Sequence, residues 1–210
     1  KNPKYSNIHP ELLITHFSFA AIQANTSLFK NLMEIVRSHQ NFIIGEAGIE
    51  TGSIRLMEQT MSGKALPFKI SQWTSLISES LSLLHDHQFI PYCSLIIGLP
   101  GETENDIIET LNLIDNLKDL RFILLPSGFT PLGTYADLDV KKYDSDSLNP
   151  LRKELIKKCV VHNEHWANKI GKIILQEDYN FRILSKLWYT LSLLKGLISY
   201  YKADIGKSSS

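Results

Sequence analysis

Cysteine is scarce in this sequence: Cys93 and Cys159 are the two among 210 residues. Neither belongs to a Cys-x-x-Cys pair, so no cysteine metal site is visible. Cys93 falls in an apolar, strand-like stretch and Cys159 in a helical one. That placement reads as two buried thiols of a reducing compartment, not a disulfide framework. An excess of charge of either sign is also lacking. Lys plus Arg and Asp plus Glu both number 22, which removes the electrostatic case for nucleic acid or an anionic membrane while leaving a local basic patch open. There is no low-complexity run and no internal repeat. Gly-x-Ser-x-Gly, the P-loop and Gly-x-Gly-x-x-Gly are all missing, so three common catalytic and phosphate-binding devices are not available. No signal-peptide pattern is visible, and the expected location is cytoplasmic. The chain starts Lys1-Asn2-Pro3 without an initiator Met, which leads us to expect a piece of something longer.

What is present is an ordinary globular composition, 43% hydrophobic and 21% charged, in a length that suits one cored domain with an appendage. Four segments read as strands: Leu12–Phe19, Phe42–Glu50, Phe89–Ile97 and Arg121–Pro126. All are short and mostly apolar, as strands covered on both faces are. Helical stripes lie between them: Phe29, Leu32, Met33 and Val36; Ile54, Met57 and Met61; Ile77, Leu81 and Leu84; Ile107, Ile108, Leu111, Ile114 and Leu117. The alternation predicts parallel βα units. After Pro131 the pattern changes. Leu132–Leu148 reads as a connector, Pro150 suits a helix start, Arg152–Ile170 reads as helix and Lys172–Gln176 as a short extended piece. Phe181–Tyr201 is a long helical pattern, but Arg182, Lys186 and Lys195 interrupt it, which favours packing on a protein surface over spanning a membrane.

The most informative stretch is Ser94-Leu-Ile-Ile-Gly-Leu-Pro-Gly-Glu102. An apolar run stops at a glycine turn, and Thr103 with Asp106 three residues on makes a good helix start. Gly98, Pro100 and Gly101 read either as a simple turn or as bare backbone that a ligand can approach. A second such place is Gly48-Ile49-Glu50-Thr51-Gly52-Ser53. Glu50, an acid at a strand's C-terminal end, needs a partner and is a candidate ligand contact. Ser53 reads equally as a contact and as a helix cap. Lys64 reads by default as a solvated surface group; by position it can also meet a ligand carboxylate. His162 and His165, three apart, read as a surface pair, because a zinc site needs three or four ligands.

These two motifs, in this order with Lys64 between them, resemble the C-terminal half of a radical S-adenosylmethionine (SAM) core. The subgroup most similar often carries a cobalamin-binding domain. Leu124-Leu125-Pro126 followed by Phe129-Thr130-Pro131-Leu132-Gly133-Thr134 resembles that subgroup's last strand and exit. The resemblance covers roughly residues 10–135. It implies an α/β fold, a partial parallel (β/α) barrel of which this chain holds about four strands, with residues 136–210 as a helical extension. It implies that Glu50 meets ribose or the amino-acid moiety, with Ser53 nearby, and that Lys64 meets the methionine carboxylate. Ile96, Ile97, Gly98 and Pro100 offer backbone and an apolar wall to adenine, Leu125 forms the facing wall, and Ser18, inward on the first strand here, touches substrate or SAM.

The family's Cys-x-x-x-Cys-x-x-Cys loop is not in the chain; the resemblance places it before residue 1. The expectation is therefore a fragment of an enzyme that binds SAM and cleaves it reductively beside a 4Fe-4S cluster, with cobalamin and methyl transfer as further expectations of the subgroup, and inactive as this piece alone. The substrate is not legible. A non-catalytic α/β binding or scaffold module, and an unrelated α/β barrel or flavodoxin-like domain, stay open as alternatives. A sheet edge left by the missing strands is expected to be covered by the helical tail or by a second copy in a homo-oligomer.

Overall fold

Three apolar runs that each stop at a glycine or a polar turn form a parallel sheet in the order β1-β2-β3: β1 is Ile43–Glu50, β2 is Phe89–Ile97 and β3 is Ile123–Gly128. The computed structural model describes residues 14–40, 42–131 and 148–175. Six α-helices are described: α1 Phe19–Ala24, α2 Thr26–Arg37, α3 Ile54–Met61, α4 Trp73–Asp86, α5 Glu104–Asn116 and α6 Pro150–Leu175. Helices α3 and α4 carry the chain from β1 to β2, and α5 carries it from β2 to β3, as parallel pairing requires.

The two faces of the sheet differ. Ile43, Ala47 and Ile49 of β1, Cys93, Leu95 and Ile97 of β2, and Leu124 of β3 join the main core with Met33, Trp73, Ile77, Leu81, Ile107 and Ile114 from the helices. The alternate residues face the other way. At the N-terminal end of that second face Phe42, Ile90, Tyr92 and Ile123 are covered by Trp166 and Ile170 of α6, with Ile44 and Leu125 against them. At its C-terminal end Ile96 packs with Leu56, Leu99 and Phe129. Between the two apolar patches lie half-buried Gly48, Glu50 and Ser94.

Several expectations are corrected. Of the first strand, expected over Leu12–Phe19, Leu12 and Leu13 lie outside the described residues, and the described part makes one parallel bridge, Ile14 to Gly45. Ile14 N–H donates to Ile44 C=O at 3.2 Å and Phe17 N–H to Glu46 C=O at 2.8 Å; then Ser18 caps α1 and the chain turns helical. Serine's hydroxyl offers the backbone a cap where another strand residue would extend the ladder. The described sheet therefore has three strands, not four. β3 starts two residues later than expected. Lys172–Leu175 continues α6 instead of forming an extended piece. The connector over 132–147 and the helical pattern Phe181–Tyr201 lie outside the described residues. Among the described residues no helix is long and apolar enough to cross a membrane.

Candidate functional site

Both glycine-flanked bends sit at the C-terminal ends of neighbouring parallel strands, and so on the same rim. In register, Gly48 lies beside Ser94, Glu50 beside Leu95, Ser94 beside Leu125 and Ile96 beside Ser127. The register of β1 shifts between Gly48 and Glu50. Glu50 there has φ +62°, a conformation that non-glycine residues adopt at a cost. Thr51 N–H donates to Ile49 C=O at 2.8 Å, closing a three-residue turn about Glu50. The Trp73 indole N–H donates to Ile49 C=O and to Thr51 C=O, both at 3.2 Å. A buried tryptophan thus holds the strained turn from behind. Such strain persists only where its surroundings over-determine it, and it concentrates at ligand sites.

The turn aims the Glu50 carboxylate at Lys64, with which it forms an ion pair, and at Ser94, whose Oγ donates to Oε2 at 3.2 Å. The pair is mostly shielded: the Glu50 side chain is 12% exposed and that of Lys64 32%. Gly48 makes room for it. A Cβ at Gly48 would overlap the Glu50 carboxylate and the Lys64 ammonium. Chemically, this is an anion and a cation side by side at a strand end. A zwitterionic ligand, with ammonium and carboxylate on one carbon, can exchange into such a pair without leaving either charge unmatched.

The second bend is built on Gly98 at φ +78° and Gly101 at φ +77°, left-handed values that glycine adopts without penalty. Gly98 N–H points at Glu102, with both carboxylate oxygens at 3.2 Å. Glu102 is in turn held by Arg152 Nε at 2.8 Å. Burial pushes the Glu102 carboxyl above its ordinary value, against the pull of Arg152 and the Gly98 N–H.

The expected site residues divide into groups. Glu50 and Lys64 are brought together, with Ile96 and Leu125 on the same face of the sheet. Gly98 and Pro100 lie in the neighbouring bend. Ile97 faces the helical core, 2% exposed, and its carbonyl accepts from Phe129 N–H at 2.9 Å. Ser53 is fully buried; its hydroxyl accepts from Leu56 N–H at 3.4 Å and donates to Asp106 at 2.5 Å. Ser18 is exposed and caps α1, accepting from Ala21 N–H at 3.4 Å.

Asp106 is the hub beneath this rim. It accepts from Ser53, from the Arg55 guanidinium at 2.5 Å, and from Thr103 N–H and Oγ at 2.7 and 2.6 Å. Burial alone would raise its carboxyl, but the hydrogen bonds from Arg55, Ser53 and Thr103 outweigh burial and hold it well below the ordinary carboxylate range. The hub joins the starts of α3 and α5, and so fixes the two bends relative to each other. Gly52 completes the join, since a Cβ there would come within 2.7 Å of Thr110 Cα.

Sequence reasoning missed Ser94, Trp73 and Arg152 as site partners. The hydroxyl in the otherwise apolar run of β2 is a signal for Ser94; Trp73 and Arg152 carry none that precedes the fold. Both cysteines are buried and unpaired, and burial pushes both thiols up, Cys159 to about 12. His162 is not a surface residue as expected. It is buried with Nε2 3.1 Å from Phe122 C=O, while His165 lies on the exposed side against Lys169. Among the described residues no group of three or more His, Cys, Asp or Glu is placed to hold a metal ion.

No family model matches the chain. Partial similarity does exist to proteins named tRNA-2-methylthio-N(6)-dimethylallyladenosine synthase. The Rickettsia bellii protein is 31% identical over 103 residues, which is 47% of this chain and 23% of the relative. The Rickettsia typhi protein matches at the same 31% over 103 residues. The Clostridium perfringens protein is 28% identical over 85 residues, 39% of this chain and 19% of the relative. Nothing in these likenesses supports the cobalamin-associated subgroup. The similarity is distant, and the chain spans less than a quarter of the length of the curated relatives it matches.

Proposed function

We propose that this chain supplies part of the SAM-holding rim of a radical SAM enzyme related to the tRNA methylthio synthases it resembles. The observation that carries the reading is Glu50, held at φ +62° so that its carboxylate lies between Lys64 and Ser94. On the same face stand Ile96 and Leu125, the apolar side chains an adenine needs. In this reading Lys64 meets the methionine carboxylate, Glu50 meets the ammonium or the ribose hydroxyls, and Ile96 and Leu125 flank the base. SAM, when reductively cleaved, supplies a carbon-centred radical; the residues here bind and orient it and exclude water. A 4Fe-4S cluster is different. With both cysteines buried and no metal-holding group among the described residues, the described residues do not fit one.

The test is equilibrium dialysis of SAM against the full-length protein and its Glu50→Gln variant. Loss of one charged hydrogen-bond partner, about 1.5–3 kcal/mol, weakens binding roughly 10- to 100-fold. Wild-type protein that does not bind SAM, or a variant that binds as tightly, overturns the reading. One observation favours a second one, a non-catalytic α/β module: Glu50 is already paired with Lys64, and the Gly98 N–H is already taken by Glu102. That module retains its fold and ion pairs but binds no SAM. If SAM binds, the tRNA nucleoside in the relatives' names is the first substrate to try.

A further inference from the structure

The Gly98 bend depends on a residue from far along the chain. Arg152 sits in the first turn of α6, where its N–H donates to Asn149 Oδ1 at 2.8 Å. A cation there faces the positive end of the helix dipole, which disfavours it, and the first turn of α6 carries no acid to compensate. Local preferences are broken where another demand outweighs them. The demand here is Glu102. The Arg152–Glu102 pair is shielded, with side chains 17% and 5% exposed, and both Glu102 oxygens reach the Gly98 N–H. A charged acceptor binds that N–H more strongly than a neutral one, so an ionised, aimed Glu102 holds the bend more firmly than a protonated one.

We infer that Arg152 is a positioning residue for the proposed ligand rim: from the start of α6 it orients the Glu102 carboxylate, which fixes the Gly98 bend next to Ile96. The inference rests on the SAM reading for its ligand, but the clamp can be read without any ligand. Its consequence is a pH dependence. Among the described residues, the charged groups facing Glu102 are Arg152 from α6 and Asp106 from α5, the latter itself paired with Arg55 of α3. Without Arg152, burial and Asp106 both favour protonation of Glu102, and the Gly98 N–H opposes it. The bend then loosens as pH falls through the Glu102 titration, whereas the intact clamp keeps it closed.

The experiment compares full-length wild-type protein with Arg152→Met, Arg152→Lys and Glu102→Gln. Exchange of the Gly98 amide, corrected for its intrinsic pH dependence, is followed by NMR from the ordinary carboxylate range up to neutral pH, and SAM affinity is measured in parallel. Arg152→Met is expected to lower Gly98 protection about tenfold, the equivalent of one weak charged hydrogen bond, with the loss growing as pH falls. SAM affinity drops by a similar factor. Arg152→Lys restores most of the protection, and Arg152→Met combined with Glu102→Gln is no worse than Glu102→Gln alone. Should Arg152→Met fail to fold, Arg152→Gln gives the same comparison. Wild-type protection with a wild-type pH profile in the Met or Gln variant overturns the inference, even if thermal stability falls. If wild-type protein binds no SAM while Gly98 protection responds as stated, the clamp stands and the SAM reading fails.

Discussion

The two edges of the sheet are finished in different ways. Along β3, α6 supplies a substitute for the next strand. Asn163 accepts from Leu124 N–H at 2.8 Å and donates to Leu124 C=O at 2.7 Å, and His162 Nε2 lies 3.1 Å from Phe122 C=O. All of these groups are buried. Along β1 the described chain contributes two backbone hydrogen bonds, from Ile14 and Phe17, and then leaves into α1. The side-chain contact beside them, His16 Nε2 to Glu46 at 3.6 Å, is exposed, with side chains 81% and 51% accessible. Among the described residues, one edge is closed by buried polar side chains of α6, and the other carries two backbone hydrogen bonds and an exposed side-chain contact. Sheet edges need one solution or the other to avoid unwanted pairing. The candidate site lies between them, on β1 and β2, and takes its clamp from the α6 side.

Substitutions separate the edges. Asn163→Leu strands a buried N–H and a buried C=O, each costing about 1–3 kcal/mol, so the total loss is expected at about 2–6 kcal/mol; chemical denaturation measures it. A loss under about 1 kcal/mol would mean that the β3 edge is not sealed as described. Next in size is Gly45→Ala on the other edge. The new Cβ would lie 2.6 Å from the Phe89 ring and 3.0 Å from Ile14 C=O. Overpacking of this kind costs about 1–3 kcal/mol, and it should raise exchange at the Ile14 and Phe17 amides without touching Leu124.

Acid narrows the difference between the edges. Burial pushes the His162 imidazole down to about 4. A folded value below the unfolded one means that the unfolded chain binds the proton first as pH falls. The stability linked to His162 is therefore complete above about pH 6.5, the unperturbed value, and is lost as pH falls toward about 4. His162→Gln should flatten that part of the stability–pH curve; an unchanged curve contradicts the assignment. The smallest effect is expected for His16→Ala. An exposed pair of this kind contributes little, so the change should stay within about 0.5 kcal/mol. A larger one would show that the β1 edge is better tied than its exposure indicates.

The same contrast explains what was legible in the sequence. β1 and β2 were readable because an apolar run ends in glycine, and β2 was placed to the residue. The edge segment was not, because Leu12–Phe19 looks apolar enough for a strand while Ser18 caps a helix, and propensity alone does not decide between them. Lys172–Leu175 looked extended for its isoleucines, yet α6 carries through it, since helical context overrides a short β-branched run. Glu50 and Lys64 stand out in the sequence as separate candidates for ligand contact; that they meet each other as an ion pair shows only in the fold. Trp73, Asp106 as a hub and Arg152 were not legible, because each acts through a contact across many residues that only the fold brings together.

The central claim is the proposal that Lys64 holds the methionine carboxylate of a SAM molecule whose adenosyl end lies against Ile96 and Leu125. The most direct measurement is the affinity of full-length wild-type protein and of Lys64→Ala for SAM and for 5′-deoxyadenosine, which lacks the methionine. The account predicts that Lys64→Ala weakens SAM binding by about tenfold or more and leaves 5′-deoxyadenosine binding unchanged. Equal losses for both ligands, or none for either, would contradict it.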